Sequence, residues 1–332
     1  MLDYITEVYD DIFLAEIPLK GNPLKSINIY IIKTDNGNLI IDTGFNTDEI
    51  KNLTMGFIRD LDLDMSNTKL FLTHLHSDHT GLVNFYDSMN VPVIMGEIDS
   101  KLHIDFMNRY GEYWPKIEKY GHMQGLDTDN LKIEDHPGYK FRPHENYKYI
   151  NVNPGDVINI GPFKFDVIDL SGHTPGMLGL YEKEKSILFC GDHILGKITP
   201  NIQFWGFEFG DSLGTYINNL NKVKNLNIKY LFSSHRFLIS NVNERIEELK
   251  SHHGQRLNEI LKILEKNNKC TVKKITENLH WDINCKNWED FPKSQKWFAA
   301  GEAHAHLEHL RAKNMVDFIK DDNDILHYFL IK

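Results

Sequence analysis

The 332-residue sequence predicts an α/β fold built in layers, and three observations carry that expectation. Short apolar runs bounded by turn residues alternate with stretches of helical spacing, the βαβα order of layered sheets. This texture resumes after an aromatic-rich segment at 97–148, which therefore reads as an insertion between two sheet-forming halves. The densest polar chemistry, Thr73-His74-Leu75-His76-Ser77-Asp78-His79-Thr80-Gly81, directly follows a strand-like run.

Taken in order, 12–17, 27–32 and 39–41 read as strands, with Asp35-Asn36-Gly37-Asn38 as a hairpin turn between the last two. Thr47 is the cap candidate for a helix over 47–59. A strand at 69–72 leads into the histidine-rich stretch, a helix follows from Thr80 to Met89, and 91–95 gives a short strand. Within the insertion, helices are expected at 98–110 and 112–120, followed by an irregular stretch containing Asp135-His136-Pro137-Gly138. The insertion has two readings, a subdomain packed on its own aromatics or a cap shaping a substrate pocket. Tyr110, Tyr113 and Trp114 are the substrate-contact candidates on the second reading. Beyond it come a hairpin (155–161 with 163–168), strands at 178–181 and 186–189, a helix at 211–224, a strand at 230–232 and a helix at 242–266. The tail reads as helices at 271–279 and 294–314, then two strands around Asp322-Asn323-Asp324. Helix, helix, hairpin is the order of a winged helix-turn-helix, so we expect a main unit over 1–250 and a winged-helix-like unit over 251–332.

Composition narrows the function classes. A net charge of −10 opposes general attraction to phosphate backbones. From residue 255 onward 13 Lys and Arg face 12 Asp and Glu, less basic than a nucleic-acid reader, so packing or homodimer formation is the favoured role of the tail. No apolar run approaches the roughly 18 residues of a membrane span. The acidic N-terminus lacks the features of a signal peptide, making cytoplasm the expected location. Cys190, Cys270 and Cys285 are far apart and form neither a disulfide framework nor a thiolate zinc site.

The histidine-rich stretch points to metal. Imidazole and carboxylate are ligands of Zn²⁺, and His74 and His76, alternating in an extended segment, face one ion together. Beyond the turn, Asp78 and His79 point towards a second. This differs from HExxH, where two histidines share a helix face. Further histidines and aspartates follow predicted strands: His173, Asp192 and His235.

At this point the sequence resembles the metallo-β-lactamase-fold hydrolases, through Asp42-Thr43-Gly44, His74-x-His76-x-Asp78-His79, Gly172-His173-Thr174-Pro175-Gly176, Gly191-Asp192 and Ser234-His235. The resemblance implies a four-layer αββα sandwich with two divalent metal ions at one edge. His74, His76 and His173 would hold one ion and Asp78, His79 and His235 the other, with Asp192 between them. Zn²⁺ fits these donors best, and iron and manganese accept the same atoms. His76 in place of glutamate separates the chain from the di-iron oxygen-reducing branch. Asp42 is expected to support a ligand histidine. His193, next to Asp192, is either a hydrogen-bonded structural histidine or a substrate contact. His304, His306 and His309 have poor spacing for one helix face and read as residues of a solvated or packed helix. Ala303 to Leu310 resembles the A-x-x-H-L-x-x-L pattern of the C-terminal winged helix in a subgroup that includes a β-lactamase-like endoribonuclease.

The expected activity is hydrolysis of a small ester, thioester or lactone by a metal-bridging hydroxide, with Asp78 orienting it or moving its proton. A glyoxalase-II-type thioesterase is one version. Two alternatives are carried: a single-strand endoribonuclease, and a non-catalytic sensor whose metals hold a small ligand.

Overall fold

The structure, a computed structural model, describes residues 4–108, 111–143, 147–236 and 238–331. The first sheet contains β1 (Ile5–Tyr9), β2 (Ile12–Pro18), β3 (Ser26–Thr34), β4 (Gly37–Ile41), β5 (Thr68–Leu72), β6 (Val93–Gly96) and β7 (Ile150–Val152), side by side in chain order. Strands β1 to β4 pair antiparallel and β4 to β7 parallel. The second sheet contains β8 (Val157–Ile160), β9 (Phe163–Asp169), β10 (Leu178–Glu182), β11 (Ile187–Gly191) and β12 (Tyr230–Ser233), in the same successive order, with only β11 and β12 parallel.

Side-chain alternation explains how the sheets stack. On β3, Tyr30 and Ile32 face the second sheet, where they join Phe165, Leu180, Phe189 and Phe232 in a shared core. Ile27, Ile29 and Ile31 of the same strand enter a different core with helical residues Ile50, Phe57, Val83 and Tyr86. These come from α1 (Asp48–Asp60) and α3 (Val83–Asp87), which with the one-turn α2 (Ser77–Thr80) cover the outer face of the first sheet. The insertion adds α4 (Glu97–Met107), α5 (Tyr113–Gln124) and α6 (Pro137–Phe141) between β6 and β7. Helices α7 (Ser212–Lys224) and α8 (Val242–Lys266) cover the second sheet through Tyr216, Leu220, Ile246 and Leu249 against Leu188 and Cys190. The result is the αββα order.

Three differences from the sequence reading have physical causes. The expected 80–89 helix is two short ones, α2 starting earlier at Ser77. The break falls at Gly81, where a Cβ would lie 2.5 Å from Asn46 N and Gly44 O. The 98–110 helix ends at Met107, and Arg109 and Tyr110 lie outside the described residues. The boundary expected at 250/251 falls inside α8, which contributes Ile246 and Leu249 to one core and Ile260 and Leu264 to the next. That last core gathers β13 (Cys270–Thr271), α9 (Val272–Asn278), α10 (Lys293–Ala312), β14 (Val316–Lys320) and β15 (Leu326–Leu330), whose strands form a small β13-β15-β14 sheet. Among the described residues no helix is long and apolar enough to cross a membrane.

Candidate metal centre

The carboxyl ends of five strands carry the polar residues singled out in the sequence. Asp42 follows β4, His74 and His76 follow β5, His173 lies beyond β9, Asp192 follows β11 and His235 follows β12. Ligands in open α/β sheets gather at this end of the strands. Here both sheets contribute to one edge.

Seven side chains converge there in three overlapping groups: His74, His76 and His173; His74, His79 and Asp192; Asp78, His79 and His235. Within each group the donor atoms lie within 4.8 Å of one another. His74 Nε2 and His173 Nε2 are each 3.0 Å from His76 Nδ1. His235 Nε2 is 3.4 Å from both Asp78 Oδ2 and Asp192 Oδ1, while His79 Nε2 is 3.7 Å and 3.6 Å from the same two oxygens. Asp192 turns its other oxygen, Oδ2, to His173 Nε2 at 3.7 Å. One carboxylate thus addresses both groups, one oxygen each.

The far side of each ring shows why the donors point inward. His173 Nδ1 lies 2.8 Å from Asn201 O, and His235 Nδ1 lies 2.7 Å from Ser26 O. A carbonyl only accepts, so Nδ1 donates and leaves the Nε2 lone pair for the cavity. Asp42 Oδ2 does the same for His79 Nδ1 at 2.8 Å. Asp42, in a left-handed conformation (φ 64°), also accepts from Thr73 N at 2.9 Å. Gly172 (φ 131°) permits the turn into His173, because a Cβ there would sit 2.5 Å from Tyr216 Cβ. Asn28 Nδ2 and Tyr30 Oη donate to Ser233 O at 3.0 and 2.8 Å, tying the loop before His235 to the first sheet.

Buried polar atoms normally have partners. His79 Nε2, His235 Nε2 and Asp192 Oδ1 are buried without a hydrogen bond, with only longer charge contacts to one another, at the point where the second group converges. Their donor chemistry fits a divalent cation of the zinc type, and the residues present fit the group that the sequence implied. The electrostatics agree. Burial, reinforced by neighbouring imidazoles, holds His74 well below the ordinary histidine range, and burial and His173 bring His76 down to about 3, so both are neutral ligands. Burial would also depress His79 and His235, but the carboxylates around them win and raise both, His235 to about 10. Despite burial, His79 and His235 bring Asp78 down to about 2. The raised histidines and the lowered carboxylates thus offset one another across the cavity.

Other expected residues fall elsewhere. His193 is fully buried, stacks edge-on to Tyr216 at 5.1 Å, and lies outside the donor groups. Its ring lies against the backbone of Leu170 and Asn219 as well as Tyr216, a packed position with no exposed face. Tyr113 and Trp114 are buried in the insertion's own aromatic cluster with Phe106, and Trp114 Nε1 donates to Phe106 O at 2.9 Å. His304, His306 and His309 are packed: against Phe204 at 3.7 Å, against His253 at 3.0 Å, and against Asp211 at 2.8 Å.

Sequence reasoning missed two neighbours of the centre. Asp99 on α4 accepts from Leu75 N, Thr174 Oγ1 and Gly176 N at 3.1, 2.6 and 2.6 Å, bracing the His74–His76 loop against the His173 loop. Trp205 stacks on His76 at 5.9 Å and donates from Nε1 to His173 O at 3.0 Å. Neither carries a local signal, since their partners are distant in sequence.

Comparison with known proteins agrees with this geometry. A metallo-beta-lactamase family protein from Thermus thermophilus superposes with a TM-score of 0.83 at 23% identity, covering 98% of this chain and 100% of that one. A beta-lactamase-like protein 2 homolog of Caenorhabditis elegans is 27% identical over 167 residues, 48% of this chain and 54% of the relative. An acyl-coenzyme A thioesterase of Homo sapiens is 25% identical over 174 residues, 50% of this chain and 57% of the relative. An atrochrysone carboxyl ACP thioesterase of a Cryptosporiopsis species is 23% identical over 273 residues, 78% and 68%. The chain thus spans little more than half the length of the nematode and human relatives. The family model of the metallo-beta-lactamase superfamily matches residues 22–235, a span that contains all seven converging donors, and the chain belongs to that superfamily.

Proposed function

We propose that this protein is a metal-dependent hydrolase of small acyl substrates, with a thioester as its first substrate class and esters and lactones behind it. The observation that carries the reading is the set of three buried atoms without a hydrogen bond, His79 Nε2, His235 Nε2 and Asp192 Oδ1, inside a ring of seven correctly typed donors. Two relatives bearing thioesterase names support the choice of thioester. Two divalent ions, Zn²⁺ by donor type, would supply Lewis acidity and an acidified water at neutral pH.

The chain's own residues do the rest. Asp192 holds the two donor groups at a fixed separation through its two oxygens. Asp78, buried but at the cavity, takes the proton of the attacking water on the carboxylate oxygen turned away from His79 and His235 as the water oxygen bonds to the acyl carbon. The C–S bond then breaks, and the departing sulfur receives that proton. Trp205, half-buried beside His76, offers a flat apolar wall for the acyl group.

The endoribonuclease reading has weaker support. Fourteen of the twenty residues of α10 are buried, which leaves little of that helix to stack on or bond to unpaired bases. We read the segment after α8 as a winged-helix-like packing module.

The test is one panel at matched enzyme concentration: an acyl-coenzyme A, a lactone, an aryl ester and a fluorescent single-stranded RNA, each with and without chelator. Thioester cleavage that chelator abolishes and Zn²⁺ restores is the expected result. RNA cleavage alone would replace the acyl reading, and unchanged ligand recovered by mass spectrometry across the panel would favour the sensor.

A further inference from the structure

The loop between β11 and α7 bonds to His173 twice. Asn201 O takes the hydrogen bond from His173 Nδ1 at 2.8 Å, and Trp205 Nε1 donates to His173 O at 3.0 Å. The same loop rests on α10 along its length. Asn201 Nδ2 donates to Glu302 Oε2 at 2.9 Å and to Phe298 O at 3.3 Å. Phe204 N donates to Gly301 O at 3.0 Å, and the Phe204 ring lies flat on His304, with centroids 3.7 Å apart. Asp211, which caps α7 through Gly214 N, pairs with His309 at 2.8 Å.

Glu302 is the polar anchor of this contact. It is buried, and from behind it meets Arg256 of α8, whose Nε lies 3.7 Å from Oε1 and whose guanidinium stacks over Trp281 at 4.0 Å. The pair sits outside the matched span of residues 22–235. We infer that Glu302 is a positioning residue for the ion held by His74, His76 and His173, acting through Asn201 on the ring of His173. The inference rests on the metal reading above.

A main-chain carbonyl orients an imidazole only as well as its own loop is held. This loop is pinned by a hydrogen bond to a buried carboxylate, stronger than a neutral pair. Removing the carboxylate leaves Asn201 Nδ2 only its longer bond to Phe298 O at 3.3 Å, so the loop that carries the Asn201 carbonyl is held less firmly and the aim of His173 Nε2 loosens with it. Partners of this kind typically account for about 10–100-fold in metal affinity.

The experiment is a Co²⁺ titration of the full chain after chelator stripping, with H173A and H235A marking which ion is lost from each donor group. Glu302→Ala and Asn201→Ala should each weaken the ion lost in H173A by about 10–100-fold and leave the other within about twofold. Glu302→Gln keeps an oxygen for Asn201 Nδ2 and should restore binding to near the wild-type level. The inference is overturned by either alanine variant binding both ions as the wild type does, by an equal weakening of both ions, or by a glutamine variant as poor as the alanine one. Should E302A fail to fold with Arg256 left unpaired, N201A carries the test by itself, since it leaves the Arg256–Glu302 pair intact. A wild-type chain that takes up no ion would instead defeat the metal reading.

Discussion

Asp42→Asn is the most discriminating substitution that the geometry offers. The carboxylate is fully buried and holds two kinds of partner. Oδ1 accepts from Thr73 N at 2.9 Å, and Oδ2 accepts from His79 Nδ1 at 2.8 Å and from Thr73 Oγ1 at 2.9 Å. Asparagine fits the same space but cannot turn freely, because its NH₂ facing the Thr73 amide would set donor against donor. The amide oxygen therefore stays on Thr73, and the NH₂ is forced onto His79. On a neutral ring Nδ1 must then accept, which moves the ring proton to Nε2, the atom that faces Asp78 and Asp192. Without metal the surrounding carboxylates favour a ring protonated on both nitrogens, so the NH₂ meets an N–H and that hydrogen bond is lost, at a cost of about 1–3 kcal/mol. Metal binding suffers as well, since a protonated Nε2 offers no lone pair. The loss expected for a disturbed partner is about 10–100-fold, or about 1.4–2.7 kcal/mol, confined to the Asp78–His79–His235 ion. Chelator competition with Zn²⁺ measures it, and the H79A/D42N double variant should be no worse than H79A, because the two act through one atom. A D42N protein that binds both ions with wild-type affinity would refute the assignment of Asp42 and with it the tautomer argument.

Four further outcomes rest on the same structure. In the metal-free protein the folded pKa values of His79 and His235 lie above the unfolded value of 6.5, that of His235 at about 10. Their stabilising contribution is therefore complete below about pH 6.5 and is lost as pH rises towards 10, so calorimetry of the stripped protein should show Tm falling across that window. Metal uptake must displace those protons, so Zn²⁺ affinity should rise over the same range with measurable proton release in weak buffer. Phe189→Ala removes a ring buried between the sheets, in contact with Tyr30, Phe165 and Phe232, and should cost about 3–5 kcal/mol in urea unfolding while leaving metal stoichiometry unchanged. Trp205→Ala should raise KM for long acyl chains several-fold more than it lowers kcat, and Trp205→Phe should recover most of the loss; equal effects on both constants would remove the residue from the substrate wall.

The centre was legible to the extent that its residues announce themselves by type. Histidines and aspartates beyond strand ends are scarce enough by chance that His74 to His79 stood out and that His173, Asp192 and His235 recurred after later strands, while their grouping came from the resemblance. The β3–β4 hairpin and helices α1, α7 and α8 were legible for a similar reason, since turn residues, caps and periodicity are local. What the sequence hid acts across distance. Asp99 is an ordinary helix aspartate until the fold puts Leu75 and Gly176 on its two oxygens. Trp114 looks like a pocket aromatic until Phe106 O takes its indole N–H. The two-residue β13 and three-residue β7 are strands only because a neighbour pairs with them.

The origin of the seven donors bears on folding as well as chemistry. His74, His76, Asp78 and His79 all follow β5 of the first sheet, while His173, Asp192 and His235 follow strands of the second. Each three-residue group that includes one of the outer ligands, His173 or His235, therefore takes donors from both sheets. An ion in either group joins the sheets at their common edge, where the apolar core between them gives way to polar loops. Tyr30 and Asn28 already bind Ser233 O across that gap, and Asp99 already binds the loop before β10 into the first half of the chain. These contacts hold the edge near its working geometry before metal arrives, which limits the ordering that binding must impose. The raised His79 and His235 and the lowered Asp78 and Asp192 offset one another across the same edge. On the proposed two-ion reading, metal binding here would exchange protons for cations in a frame that hydrogen bonds have already set.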